Sequence, residues 1–130
     1  MLRYVFQYKF SILLAILIAL VSLIPGNSLP GGSLFSIPHF DKIAHLCLYA
    51  AFGFVALMEN RCKTLCFGYH LFIVVSVFLL SALIEALQAT VVSAREAEWA
   101  DLLANLAGLL AGYLAYRLLG GLRIFRFLKS

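Results

Sequence analysis

Three short stretches of the chain combine residue types that chemistry uses. The first is Asp41-Lys42-Ile43-Ala44-His45, with Tyr49 four residues further on. The second is Glu85-Ala86-Leu87-Gln88. The third begins at Arg95 and continues through Asp101 and Asn105 to Gly108 and Gly112. Spacings of three and four residues put Asp41, His45 and Tyr49 on one helix face, and likewise Glu85 with Gln88 and Asp101 with Asn105. An imidazole among carboxylates suits proton transfer, because histidine titrates near neutrality. His45, Asp41 and Glu85 are therefore the candidate catalytic groups, with His45 as general acid or base and an acid to orient it. Lys42 and Arg95 are candidates to hold a phosphate, the arginine as a bidentate fork. Tyr49, Gln88, Asp101 and Asn105 complete the candidate binding set. His45 with Asp41, Glu85 and Asp101 also offers ligand types for a divalent cation, without selecting a metal. No serine, cysteine or threonine nucleophile stands at the centre of the set, and Ser93 is a loop hydroxyl.

Plainer explanations cover part of this. An acid such as Asp41 favours a helix N-terminus, and Lys42 can snorkel to an interface. Neither explains His45 one turn deeper on the same face. Glu85 lies in the apolar run Leu83-Ile84-Glu85-Ala86-Leu87, where a carboxylate is costly unless paired or protonated. Packing against a neighbouring helix is one use for such a group, and function is the other.

The elements that must position these residues follow from composition. Of the 130 residues, 64% are apolar and 12% charged, and the mean hydropathy is +1.01. A water-soluble domain of this size needs more polar surface, and a disordered chain has far less apolar content. The apolar residues fall in four blocks, at about residues 8–24, 41–58, 68–90 and 99–119. These predict an all-α integral membrane protein, a single domain of four transmembrane helices spanning 1–130. A signal peptide is the alternative for the first block, but no small-x-small cleavage site follows it. The net charge of +4 does not mark a nucleic-acid binder, since the basic residues form no dense patch. Cys47, Cys62 and Cys66 match neither a zinc-site spacing nor a disulfide framework.

Eight of the ten Lys and Arg residues fall on one side of this topology: Arg3, Lys9, Arg61, Lys63, Arg117, Arg123, Arg126 and Lys129. By the positive-inside rule both termini are cytoplasmic. Asp41, Glu85, Glu96, Glu98 and Asp101 then lie at or near the outer side, and Glu59 alone lies inward. The three polar stretches would therefore meet at the outer ends of the second, third and fourth spans. Gly108-x3-Gly112 permits close helix approach, so the stripe carrying Asp101 and Asn105 should face the bundle interior. Trp99 reads as an interfacial anchor. The inner end looks different: Glu59, Arg61, Lys63 and His70 read as a solvated hairpin, and His39 as an ordinary loop residue.

The ordered set Asp41-Lys42-x2-His45-x3-Tyr49, Glu85-x2-Gln88, and Arg95 followed by Asp101-x3-Asn105-x2-Gly108 resembles the VanZ-like family of small bacterial membrane proteins. The resemblance covers about residues 38–116. It implies a multi-helix protein of the bacterial cytoplasmic membrane, and it carries an association with resistance to teicoplanin, a lipoglycopeptide antibiotic. It does not fix a reaction. Two functions suit the residues. One is an outer-leaflet pocket that binds a lipid or lipid-linked cell-envelope headgroup, including a cell-wall precursor or an amphiphilic antibiotic. The other is a membrane-embedded enzyme, metal-dependent or not, acting on a lipid-linked phosphate. A transporter is a poorer fit, because the polar residues stop in the outer half. Membrane lipids are the expected partners, and a second copy of the chain could close so small a pocket.

Overall fold

The computed structural model describes residues 1–23, 39–60, 67–91 and 99–129. Among the described residues the structure is helical throughout. A short helix α1 (Leu2–Gln7) leads into α2 (Lys9–Leu23), and three longer helices follow: α3 (Phe40–Glu59), α4 (Phe67–Val91) and α5 (Trp99–Leu119). A 3-10 helix, Arg123–Lys129, closes the described chain.

Helices α3, α4 and α5 are each long and apolar enough to cross a membrane. At 1.5 Å per residue, the 25 residues of α4 span about 37 Å, more than the ~30 Å hydrocarbon core. The 15-residue α2 is apolar but shorter. The solvation pattern is inverted relative to a soluble bundle. Leu13, Leu20, Phe72, Leu79, Leu103 and Leu114 point outward, whereas Ser81, Glu85, Gln88, Asp101 and Asn105 are buried. Such an exterior suits lipid, and it sends polar side chains inward to find partners.

Local chemistry sets the helix boundaries. His39, exposed and at φ 64°, takes the left-handed conformation just before α3 begins. Asp41 in the first turn of α3 and Asp101 in that of α5 complement the positive end of each helix dipole. Helix α5 runs out at Gly120-Gly121. The chain then turns back, with Phe125 set edge-on to Phe54 of α3 and Phe127 edge-on to Phe10 of α2.

The tightest pairing is α3 with α5, and these two helices run parallel. Lys42 meets Asp101 and His45 meets Asn105. One and two turns deeper, Gly108 lies against Leu46 and Ala50, and Gly112 against Ala50 and Phe54. The step of four from Gly108 to Gly112 answers the steps of four from Leu46 to Ala50 and from Ala50 to Phe54. A Cβ on Gly108 or Gly112 would collide with the α3 backbone, so glycine is what lets the two backbones touch. Gly53 on α3 reciprocates, with Leu109 packed over it.

At the opposite end the structure corrects the solvated hairpin expected from sequence. Glu59 is 1% exposed and His70 2%. The Glu59 carboxylate accepts from Phe10 N at 2.8 Å, Ser11 N at 2.9 Å and Ser11 Oγ at 2.6 Å. Helix α2 has no acid in its own first turn. Its unpaired N-terminal N–H groups are satisfied instead by a carboxylate from the last residue of α3. His70 is enclosed by the ring edges and faces of Tyr113 and Tyr116, at 6.1 and 5.2 Å between centroids. Arg61 and Lys63 lie outside the described residues.

Candidate functional site

His45 stands at the centre of the polar residues at the other end of the bundle. It lies one turn into α3, on the face that meets α5. Its Nδ1 is 3.0 Å from Asn105 Oδ1 and 3.6 Å from Glu85 Oε1. Its Nε2 is 3.6 Å from Asp41 Oδ1. Its ring lies over that of Tyr49, one turn deeper, with centroids 6.4 Å apart and planes within 20°. One imidazole thus meets side chains from α3, α4 and α5.

The elements explain how each group arrives. Helices α3 and α5 are parallel and in register, so their first turns lie side by side and Lys42 Nζ comes within 3.6 Å of Asp101 Oδ1. Glu85 arrives from α4, which runs the other way and presents its last turns at this level. Asp101 is 2% exposed and Asn105 fully buried, whereas about a third of Lys42's side chain and two-fifths of Asp41's remain accessible. The cluster is therefore closed below and open on the side of Asp41 and Lys42.

Three carboxylates, Asp41, Glu85 and Asp101, share this space with one ammonium and one imidazole among the described residues. Buried carboxylates need compensation by protons, cations or hydrogen-bond donors. An imidazole beside carboxylates can exchange a proton with them, and the carboxylates can accept from hydroxyl or amine donors. One ligand atom from each of Asp41, His45 and Asp101 lies within 4.8 Å of the others.

The other residues singled out from sequence distribute unevenly. Tyr49 is buried, and its hydroxyl reaches the side chain of Ser81. Gln88 does not join His45: its Nε2 donates to the backbone carbonyl of Ser22, at the end of α2. Arg95 lies outside the described residues, as do Ser93, Glu96 and Glu98. Trp99 is exposed at the start of α5.

Ser81 and Ser22 were not among the residues singled out from sequence. Ser81 had a usable signal, since it precedes Glu85 by four residues and so shares its helix face. Ser22 had none, because it contributes a backbone carbonyl that any residue would supply.

Comparison with known proteins adds the family. A search of curated proteins and a search of solved structures each found no match. A family model described as VanZ/LLP1 matches residues 2–120, a range that takes in α1 through α5 and every polar residue placed around His45. The chain belongs to the VanZ/LLP1 family.

Proposed function

We propose that the cluster around His45 is a headgroup-binding site at the outer face of the bacterial cytoplasmic membrane. In this arrangement α2 to α5 all cross the bilayer, and both termini are cytoplasmic. The site takes a lipid or lipid-linked cell-envelope headgroup. Lys42 and Arg95 hold its anionic part. Asp41, Glu85, Asp101 and Asn105 accept from its hydroxyl or amine groups, with His45 adapting as donor or acceptor.

The observation that carries this function is the meeting of α3, α4 and α5 at one imidazole that is closed below and open beside Asp41 and Lys42. The basic residues at the other end support the orientation by the positive-inside rule. The short α2 is supported as a fourth span by its anchoring at both ends, to Glu59 and to Gln88.

Native mass spectrometry of the full chain, released from nanodiscs holding an isoprenoid phosphate lipid beside phosphatidylethanolamine, tests the site. Retention of one isoprenoid phosphate per chain is expected, and Lys42→Gln and His45→Ala should each weaken it by at least tenfold. Equal retention of both lipids, unchanged by either substitution, would refute it. Lipoglycopeptides combine an acyl chain with a polar body and meet the same requirements. Teicoplanin susceptibility of cells expressing the chain, with and without His45→Ala, tests that extension.

A second function is favoured by a separate observation. An imidazole held between acids is the arrangement of a general acid or base. A membrane enzyme acting on a lipid-linked phosphate would use His45 in that role, with Asp41 and Glu85 as its partners. Release of phosphate from the same isoprenoid lipid distinguishes catalysis from binding.

A further inference from the structure

At the end of the bundle remote from His45, the 3-10 helix Arg123–Lys129 folds back against α2 and α3. Residues three apart share a face in such a helix. The segment therefore divides into three strips. Phe125 and Leu128 pack inward, Leu128 buried and Phe125 edge-on to Phe54. Ile124 and Phe127 are apolar and exposed. Arg123 and Arg126 form an exposed basic strip, and Lys129 continues the spacing in sequence. That division suits a segment lying in a membrane interface, with one strip for the protein, one for acyl chains and one for headgroups.

Between this segment and the bundle lies a groove of about 400 Å³, within the ~300–1,000 Å³ of ligand-binding clefts. Its walls are apolar throughout and include Phe10 and Leu14 of α2, Ala51 and Phe54 of α3, and Phe125 and Phe127. Ala51 stands two turns inside the end of α3, about 12 Å at 1.5 Å per residue. The groove therefore runs through most of one leaflet's half of the ~30 Å hydrocarbon core. Its mouth is basic. Lys9 Nζ lies 5.0 Å over the Phe10 ring, and Phe10 meets Phe127, the neighbour of Arg126, edge-on at 6.1 Å. Among the described residues neither Arg123 nor Arg126 has an acidic partner. Glu59, the acid at this end, is buried and taken up by the start of α2.

We propose that this groove seats one acyl chain of an anionic phospholipid, with Lys9, Arg123 and Arg126 holding its phosphate. The acyl chain matches the apolar walls, and the headgroup on the same molecule supplies the negative charge that the cations at the mouth call for. A second copy of the chain fits less well. Paired about a two-fold axis, the two faces would set the same cations against one another. The site is separate from the cluster around His45 and does not rest on the function proposed for it. In the orientation with both termini cytoplasmic it lies in the cytoplasmic leaflet, the one that juxtamembrane basic segments recognise by its anionic lipids.

Native mass spectrometry of the full chain, released from nanodiscs of equal parts phosphatidylglycerol and phosphatidylethanolamine, tests the site. Retention of one phosphatidylglycerol per chain is expected. The double variant Arg123→Gln/Arg126→Gln should weaken that retention by about tenfold or more. Both side chains are exposed, so the fold should be kept. Ala51→Phe, at an exposed position on the groove wall, should displace the lipid while leaving every cation in place. Should that variant fail to fold, Leu13→Trp, at another exposed wall position, reads the same loss. His45→Ala should leave phosphatidylglycerol bound. Equal retention of the two lipids by the wild type would overturn the proposal, as would phosphatidylglycerol retention unchanged in the double variant or in the filled groove. Loss in His45→Ala with retention in the double variant would assign the lipid to the other site. A lipid-free dimer that dissociates in Ala51→Phe would give the groove to a second copy; either result overturns the proposal.

Discussion

Glu59 and Ser11, 48 residues apart in sequence, are joined twice: Ser11 donates to the Glu59 carboxylate through both its backbone N–H, at 2.9 Å, and its hydroxyl, at 2.6 Å. With Phe10 N as a third donor, an acid from the end of α3 acts as the N-terminal cap of α2. A cap supplied from another helix fixes the position of the helix it caps. Glu59 therefore decides where α2 docks.

Glu59→Ala should release that end of α2. Three donors to a buried carboxylate are lost, and hydrogen bonds to charged groups contribute about 1.5–3 kcal/mol each before relaxation. A destabilisation on the order of 3 kcal/mol is expected in denaturant titrations in mixed micelles. A solvated Glu59, as the sequence reading had it, would matter less than Glu85. Given the burial of Glu59, the two should be comparable in stability, and only Glu85→Ala should alter the chemistry around His45. A Glu59→Ala protein as stable as wild type would remove the cap from the account.

Glycine substitutions should divide by location. A Cβ at Gly108 meets Leu46 O, a backbone atom that cannot swing away. Gly108→Leu must separate α3 from α5, at a cost of about 3 kcal/mol or more, and should pull Asn105 away from His45. Gly68, near the start of α4, has open space where its Cβ would be. Gly68→Ala should be neutral or stabilising by up to about 1 kcal/mol, because alanine is the better helix former. Equal thermal melting of the two variants would contradict the close α3–α5 contact.

Gln88 should behave as a clasp rather than a ligand. Its amide donates to Ser22 O at the end of α2. Gln88→Leu loses one buried hydrogen bond, worth about 1 kcal/mol net, and should speed amide exchange in the last turn of α2. Gln88→Glu should be worse, since it sets a carboxylate against a carbonyl. Neither should change retention of the isoprenoid phosphate lipid. A loss of that lipid in Gln88→Leu with α2 exchange unaltered would assign Gln88 to the site instead.

The orientation makes a separate prediction. In a background with Cys47, Cys62 and Cys66 replaced by serine, Arg95→Cys should react with an impermeant maleimide added outside intact cells. Arg123→Cys should react only after the membrane is opened. The opposite pattern would invert the protein and place the His45 cluster on the cytoplasmic face.

Much of the architecture was legible without coordinates. Three helices of 20 to 25 residues that are apolar enough to cross a bilayer point to a membrane-type helical fold. The three- and four-residue spacings at Asp41-His45-Tyr49 and Asp101-Asn105-Gly108-Gly112 state which faces carry polar groups. Those are local properties, set by the 3.6-residue turn. Which face meets which is not local. It follows from the backbone contact of Gly108 and Gly112 with α3, which sets the parallel register that brings Asn105 to His45 and Asp101 to Lys42. Glu59 and His70 show the converse. In sequence they resemble a polar hairpin, because charge and spacing carry no record of a distant helix start or of two tyrosine rings. Residue type and period determine what each helix has to offer. Only the packed helices decide which unmet backbone N–H, carboxylate or imidazole it is offered to, because those unmet groups exist only once the helix ends have been brought together.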